Sequence, residues 1–175
     1  MKKALIVVDY QKDFVDGTLG FSGAEKLEEK IIQKICQYQE ENQKVIFTFD
    51  THEENYLQTR EGQNLPIPHC VNGTEGWALY GSLSKFVPKD ALIICKETFG
   101  SLTLANYLAS GQFDAVELVG LVSNICVISN AVLAKAALPE AEIIVDASCT
   151  ASADPVLHDK ALDVMEGLFI TVTGR

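Results

Sequence analysis

The stretch LVGLVSNICVISNAVLAKA, residues 118–136, decides how the chain is read. The run that it closes, FDAVELVGL (113–121), is apolar and of strand length. The run that it opens, SNICVISNAVLAKAAL (123–138), is nearly apolar and long enough for a buried helix. A strand that feeds straight into a helix is half of a crossover unit, and such crossovers join parallel strands. Near the start of the second run stands one thiol, Cys126. Taken singly, a cysteine in an apolar segment is more often inert packing. A helix N-terminus and a nearby cation would instead favour its thiolate, the reactive form.

The same alternation runs through the chain. Strands are expected at KALIVVD (3–9), KVIFTFD (44–50), ALIICK (91–96), AEIIVDA (141–147) and FITVTG (169–174). Helices are expected at 24–42, where Leu27, Ile31, Ile32 and Ile35 recur at helical spacing, and at 101–110, with Ser101 as cap. A further helix at 154–168 opens with Asp154-Pro155. The pattern predicts a single α/β domain over residues 1–175, a three-layer α/β/α fold with a mostly parallel, doubly wound six-stranded sheet. Strands covered on both faces are apolar throughout, as these are. The region from Thr51 to about Pro88 is rich in Gly, Pro, Asn and His and reads as one long irregular, functional segment.

Composition narrows the class. With 175 residues and 47% hydrophobic content, the chain can bury a sizeable core. No apolar run approaches the roughly 18–20 residues of a bilayer span. The opening MKKALIVVDYQKDF carries Asp9 at the end of its short apolar run and reads as a buried first strand rather than a leader. A net charge of −10 argues against nucleic acid or an anionic membrane as partner, though not against a small anionic substrate. The 5 cysteines include no CxxC pair, which suggests free thiols in a reducing cytoplasm. Of these, Cys36, Cys95 and Cys149 are expected to be buried.

The polar residues at strand ends carry the chemistry. Asp9 ends the first strand, Asp50 the second and Lys96 the third, while Cys126 follows the fourth. In a parallel sheet all four converge on the carboxyl edge, where ligands bind. A strand-end Asp is often only a cap, and a strand-end Lys only a solvated charge. Their joint placement beside a thiol makes a set able to move a proton and attack a carbonyl. A second group is Asp50-Thr51-His52, with His69 downstream. Residues 50 and 52 share one side of an extended chain, and a carboxylate with two imidazoles suits zinc, iron or manganese. Glu53, Glu54 and Glu61 offer further oxygen ligands. The third histidine, His158, reads as an ordinary surface or core residue.

Five segments taken together resemble the cysteine hydrolases of the isochorismatase-like superfamily, in particular the nicotinamidase/pyrazinamidase branch. They are VVDYQKDF, DTHEEN, PHCVNGTEGWALY, KETFGS and LVGLVSNICV, in the family's order between residues 4 and 127. The resemblance implies Cys126 as nucleophile, Asp9 as general acid/base and Lys96 as the cation that orients Asp9. It implies a cis peptide between Leu121 and Val122, and an oxyanion hole from the backbone N–H groups of Val122 and Cys126. It implies one divalent metal ion on Asp50, His52 and His69, with Glu61 completing the sphere as in some members. The reaction implied is hydrolysis of a small amide through a thioester, and relatives are commonly homo-oligomers. An isochorismatase-like or carbamoyl-amide hydrolase is the alternative, and a non-catalytic binding protein on the same scaffold is a more remote one.

Two departures from the family pattern bear on specificity. Ser123 stands where the family usually has Thr. The segment before His69 reads LPIPHC, so Leu65 or Pro66 occupies the place of the family's aromatic residue. Phe14 is read as a pocket wall or core residue, and Trp77 as a pocket wall or subunit contact. Cys70 directly follows His69 and is expected to point away from the metal.

Overall fold

The first apolar run becomes β1 (Lys3–Val8), buried along all but its first residue. The computed structural model describes residues 1–175. β2 (Lys44–Asp50), β3 (Leu92–Lys96), β4 (Ala115–Leu121), β5 (Glu142–Ala151) and β6 (Thr171–Thr173) complete one sheet with β1 in the order β3-β2-β1-β4-β5-β6. Every strand pair is parallel. The helices are α1 (Lys12–Val15), α2 (Glu28–Glu40), α3 (Arg60–Asn64), α4 (Leu102–Gly111), α5 (Ile128–Ala137) and α6 (Pro155–Gly167). None is long and apolar enough to cross a membrane.

Alternation along the strands sorts side chains between two cores. Leu5 and Val7 of β1 pack with Ile31 and Ile35 of α2. Ala4, Ile6 and Val8 pack with Leu104 and Leu108 of α4, Ala131 and Ala134 of α5, and Leu162 and Met165 of α6. Ile31 and Ile35 are fully buried, and each contributes about 1.5–3 kcal/mol to holding α2 on the sheet. One carboxylate inside these strands, Glu117 of β4, is paired rather than solvated. It accepts hydrogen bonds from Lys34 Nζ at 2.6 Å and Tyr38 Oη at 2.8 Å.

The winding reverses between β1 and β4, which opens the crevice beyond their carboxyl ends. Gly120 makes that crevice narrow. It has φ 108° at a register shift between β4 and β5, and a Cβ there would overlap the Val8 carbonyl next to Asp9. Only glycine adopts that backbone at so close an approach.

Several elements differ from the sequence reading, among them β5, which runs on to Ala151, and α1, a short helix the sequence did not announce. Residues 123–127 form one wide five-residue turn, and α5 begins only at Ile128. The last strand starts at Thr171, because Phe169 takes φ 58° after α6 and its side chain is exposed. The segment 51–88 holds α3 and two single turns, Tyr56–Gln58 and Leu83–Phe86. It is pinned to the body by isolated pairings of His52 with Val71 and Gln11 with Leu79.

Candidate active site

Asp9 lies one residue past β1 with φ 44°, an uncommon backbone for a residue other than glycine and one that recurs at functional sites. Thr48 Oγ1 donates to its Oδ1 at 2.7 Å, and Lys96 Nζ stands 2.6 Å from its Oδ2. Lys96 is the last residue of β3 and is 5% exposed, so it is no solvated charge. Its Nζ also lies 3.5 Å from Cys126 Sγ. The structure thus brings Asp9, Lys96 and Cys126, from three separate strand ends, into one buried cluster.

The thiol in this cluster is not ionised at rest. Burial, followed by the negative charge of Asp9, pushes Cys126 well above the ordinary 9.0. Lys96 acts in the direction that the sequence reading expects, favouring the thiolate, but it is outweighed. The turn buries Cys126 fully, and desolvation outweighs one cation shared with two carboxylates. Burial likewise raises Asp9 above 3.8, with Lys96 opposing. Burial works against the Lys96 charge, yet the carboxylates of Asp9 and Asp50 hold it protonated. The resting arrangement is a thiol beside a carboxylate base, with a fixed cation between them.

Asp50, the last residue of β2, joins this cluster to the histidines. Its Oδ1 is 3.1 Å from Lys96 Nζ, while its Oδ2 is 3.0 Å from His52 Nε2 and 3.3 Å from His69 Nε2. Glu61 Oε1, on α3, lies 3.6 Å from His52 Nε2 and 3.8 Å from His69 Nε2. One donor atom from each of Asp50, His52, Glu61 and His69 falls within 4.8 Å of all the others. Two imidazole nitrogens and two carboxylates in that space are a fitting donor set for zinc, iron or manganese. The outer contact is also right, since His69 Nδ1 faces the Ile67 carbonyl at 2.9 Å and leaves Nε2 for the cluster. Despite burial, hydrogen bonds from His52 and His69 hold Asp50 well below the usual carboxylate range. Glu53 and Glu54, the other candidate ligands, are exposed and outside the cluster.

The isochorismatase domain model matches residues 3–175. The chain belongs to the isochorismatase family. Its fold superposes on a nicotinamidase/pyrazinamidase of Bacillus subtilis with a TM-score of 0.89 at 30% identity, covering 99% of this chain and 100% of that one. A zinc complex of a pyrazinamidase from Pyrococcus horikoshii gives a TM-score of 0.87 at 27% identity, with both chains fully covered. A nicotinamidase of Acinetobacter baylyi is 30% identical over 82% of this chain and 79% of its own length.

As in the family pattern, the peptide between Leu121 and Val122 is cis. This isochorismatase-family chain departs from the pattern ahead of His69. Leu65 is half-buried and Pro66 exposed, and neither is aromatic. Phe14 lies with its ring 5.5 Å from that of His69. Trp77 packs on Phe49 at 5.0 Å and donates Nε1–H to Thr51 Oγ1 at 2.9 Å. Cys70 is buried in the core on the α2 side. Cys149 is buried as expected, but Cys36 is only half-buried and Cys95 is exposed, because β3 is an edge strand that α2 does not cover.

Several supporting residues carry no sequence signal of their own. Gln11 is fully buried; its Oε1 accepts from Asp50 N at 2.8 Å and its Nε2 donates to Asp50 O at 2.9 Å. Asn130 donates to the Cys126 carbonyl at 2.8 Å and accepts from Ser101 N at 3.0 Å, which ties the Cys126 turn to the start of α4. Tyr56 packs its ring 4.6 Å from His52 and 5.1 Å from His69, and its hydroxyl donates to Leu65 O at 2.9 Å. Only their fully buried polar character marks them, and burial is invisible until the fold is known.

Proposed function

We propose that the chain is a metal-containing cysteine amidohydrolase of one domain, residues 1–175, that converts nicotinamide and water to nicotinate and ammonia through a thioester on Cys126. One observation carries the reading: a single buried ammonium, Lys96, lies 2.6 Å from Asp9 and 3.5 Å from the Cys126 sulfur, and Asp50 links it to a two-histidine, two-carboxylate cluster.

Asp9 accepts the Cys126 thiol proton as the sulfur attacks the carboxamide carbon. The N–H groups of Val122 and Cys126 receive the developing oxyanion, an interaction worth on the order of 3 kcal/mol per donor. On collapse the C–N bond breaks, its electron pair stays with nitrogen, and Asp9 returns the proton so that ammonia leaves. Water then adds to the thioester and gives its proton to Asp9. The C–S bond breaks and the proton returns to sulfur. Lys96 keeps its charge throughout and holds Asp9 in place.

Asp50, His52, His69 and Glu61 would hold a divalent ion, which supplies a Lewis-acid anchor for a ring nitrogen of the substrate. Phe14 and Leu65 are assigned to the pocket wall beside it, and Trp77 to its rim. We assign the enzyme to the reducing cytoplasm, in keeping with its free cysteines, and to a homo-oligomer.

The aliphatic wall at Leu65 favours one second reading, a carbamoyl or non-aromatic amide as substrate of the same machinery. Ammonia release across nicotinamide, pyrazinamide, aliphatic amides and carbamoyl compounds, with metal content measured alongside, separates the two. Turnover highest on the pyridine and pyrazine amides, and lost on chelation while Cys126 still alkylates, is the expected result. Equal turnover with and without metal contradicts anchoring by the ion.

A further inference from the structure

Ser123 opens the turn that carries the nucleophile, and it is fully buried. A serine at the start of a helical segment ordinarily turns its hydroxyl back onto a backbone N–H two or three residues on. This one does not. Its Oγ lies 2.9 Å from Nδ1 of His158, a residue 35 positions away on α6, and it makes no other hydrogen bond. A buried hydroxyl left without that partner carries its full desolvation cost. The Ser123 carbonyl also accepts from Ile128 N–H, but the side chain is held by His158 alone. The Val122 carbonyl accepts from both Ile125 N and Val127 N at 3.1 Å, and the coil is wider than an α-helix.

We propose that His158 is a positioning residue for catalysis: through Ser123 it fixes the first residue of the nucleophile turn, and with it the flanking Val122 and Cys126 N–H groups that receive the oxyanion. The proposal rests on the hydrolase reading above. The lever is rigid. Asp154 caps α6 through Val156 N at 2.8 Å, and Leu162 and Met165 anchor the helix in the core. Burial holds the half-buried imidazole below its usual 6.5, with Asp159 opposing and Arg175 reinforcing, so His158 bonds Ser123 as a neutral ring at neutral pH.

Two variants and two readouts test this. His158→Ala removes the bond, whereas His158→Asn restores a polar atom one bond beyond Cγ, where the imidazole Nδ1 sits. His158→Ala should lower kcat on nicotinamide about tenfold, the scale of one lost hydrogen bond, with KM nearly unchanged. His158→Asn should recover most of it. Ser123→Ala should cost a similar factor, and the double variant no more than the larger single loss. Independently of any substrate, amide hydrogen exchange of residues 123–127 should speed up in His158→Ala and return in His158→Asn, while α2 is unchanged. Unaltered exchange together with unaltered kcat, or multiplicative losses in the double variant, overturns the proposal. A wild-type protein that releases ammonia from no amide refutes the hydrolase reading instead, and the exchange arm still decides the role of His158.

Discussion

Asp50 and Lys96 are register partners on adjacent parallel strands, and Oδ1 of the one stands 3.1 Å from Nζ of the other. Lys96 is therefore shared by two buried carboxylates, Asp9 and Asp50, and lies between the thiol and the cluster of Asp50, His52, Glu61 and His69. Lys96→Met leaves Asp9 without a cation and Asp50 with only its histidine partners. It should destabilise the fold by about 3–5 kcal/mol at neutral pH in urea titrations. The sign with pH follows from Asp9, whose carboxyl is already raised by burial. Protonation on acidification removes the buried charge, so the deficit should shrink towards low pH. A deficit that grows on acidification contradicts this arrangement.

The raised Asp9 also sets the pH–activity profile. Asp9 must be ionised to take the thiol proton, so the acid limb of kcat/KM should lie above the ordinary carboxylate value of 3.8. Asp9→Asn should lose roughly 10²–10⁴-fold in kcat and abolish that limb. A limb that persists in Asp9→Asn assigns it to another group.

Alkylation separates reactive from merely accessible cysteine. Cys95 is exposed, so iodoacetamide should label it as well as Cys126. Only Cys126 labelling should track the loss of activity, and Cys95→Ser should turn over normally. Because the Cys126 thiol is held well above 9.0, its labelling rate should still be rising at pH 9. Peptide mapping over a pH series checks this, and a plateau below pH 8 would show a stabilised thiolate.

Tyr56 offers two graded changes. Tyr56→Phe loses the hydrogen bond to Leu65 O but keeps the ring, and should cost about 1 kcal/mol with KM rising more than kcat falls. Tyr56→Ala removes the ring packed on His52 and His69 and should lower metal occupancy as well. Metal analysis of the two purified variants distinguishes them. Full occupancy in Tyr56→Ala would show that the histidines need no such support.

Alternating apolar runs disclosed the sheet because burial on both faces leaves a continuous apolar signature. Strand-end position then put Asp9, Asp50, Lys96 and Cys126 at one edge. The ionisation of Cys126 was not legible in this way, because it depends on how completely the turn excludes water. Gln11 acts on Asp50, 39 positions away, Asn130 reaches Ser101, 29 positions away, and Tyr56 packs from a loop with no periodicity, so no local pattern marks them. His158 looked ordinary because its partner, Ser123, is named only by the packing of α6 on the nucleophile turn. Cys95 was misplaced for the same kind of reason, since strand order rather than sequence decides which strand is an edge.

The central claim is that the Cys126 sulfur performs the bond-making step, and steady-state ammonia release by Cys126→Ala tests it most directly. The expected result is a folded variant with turnover at the uncatalysed background and with the metal still bound. Turnover near that of the wild type would contradict it.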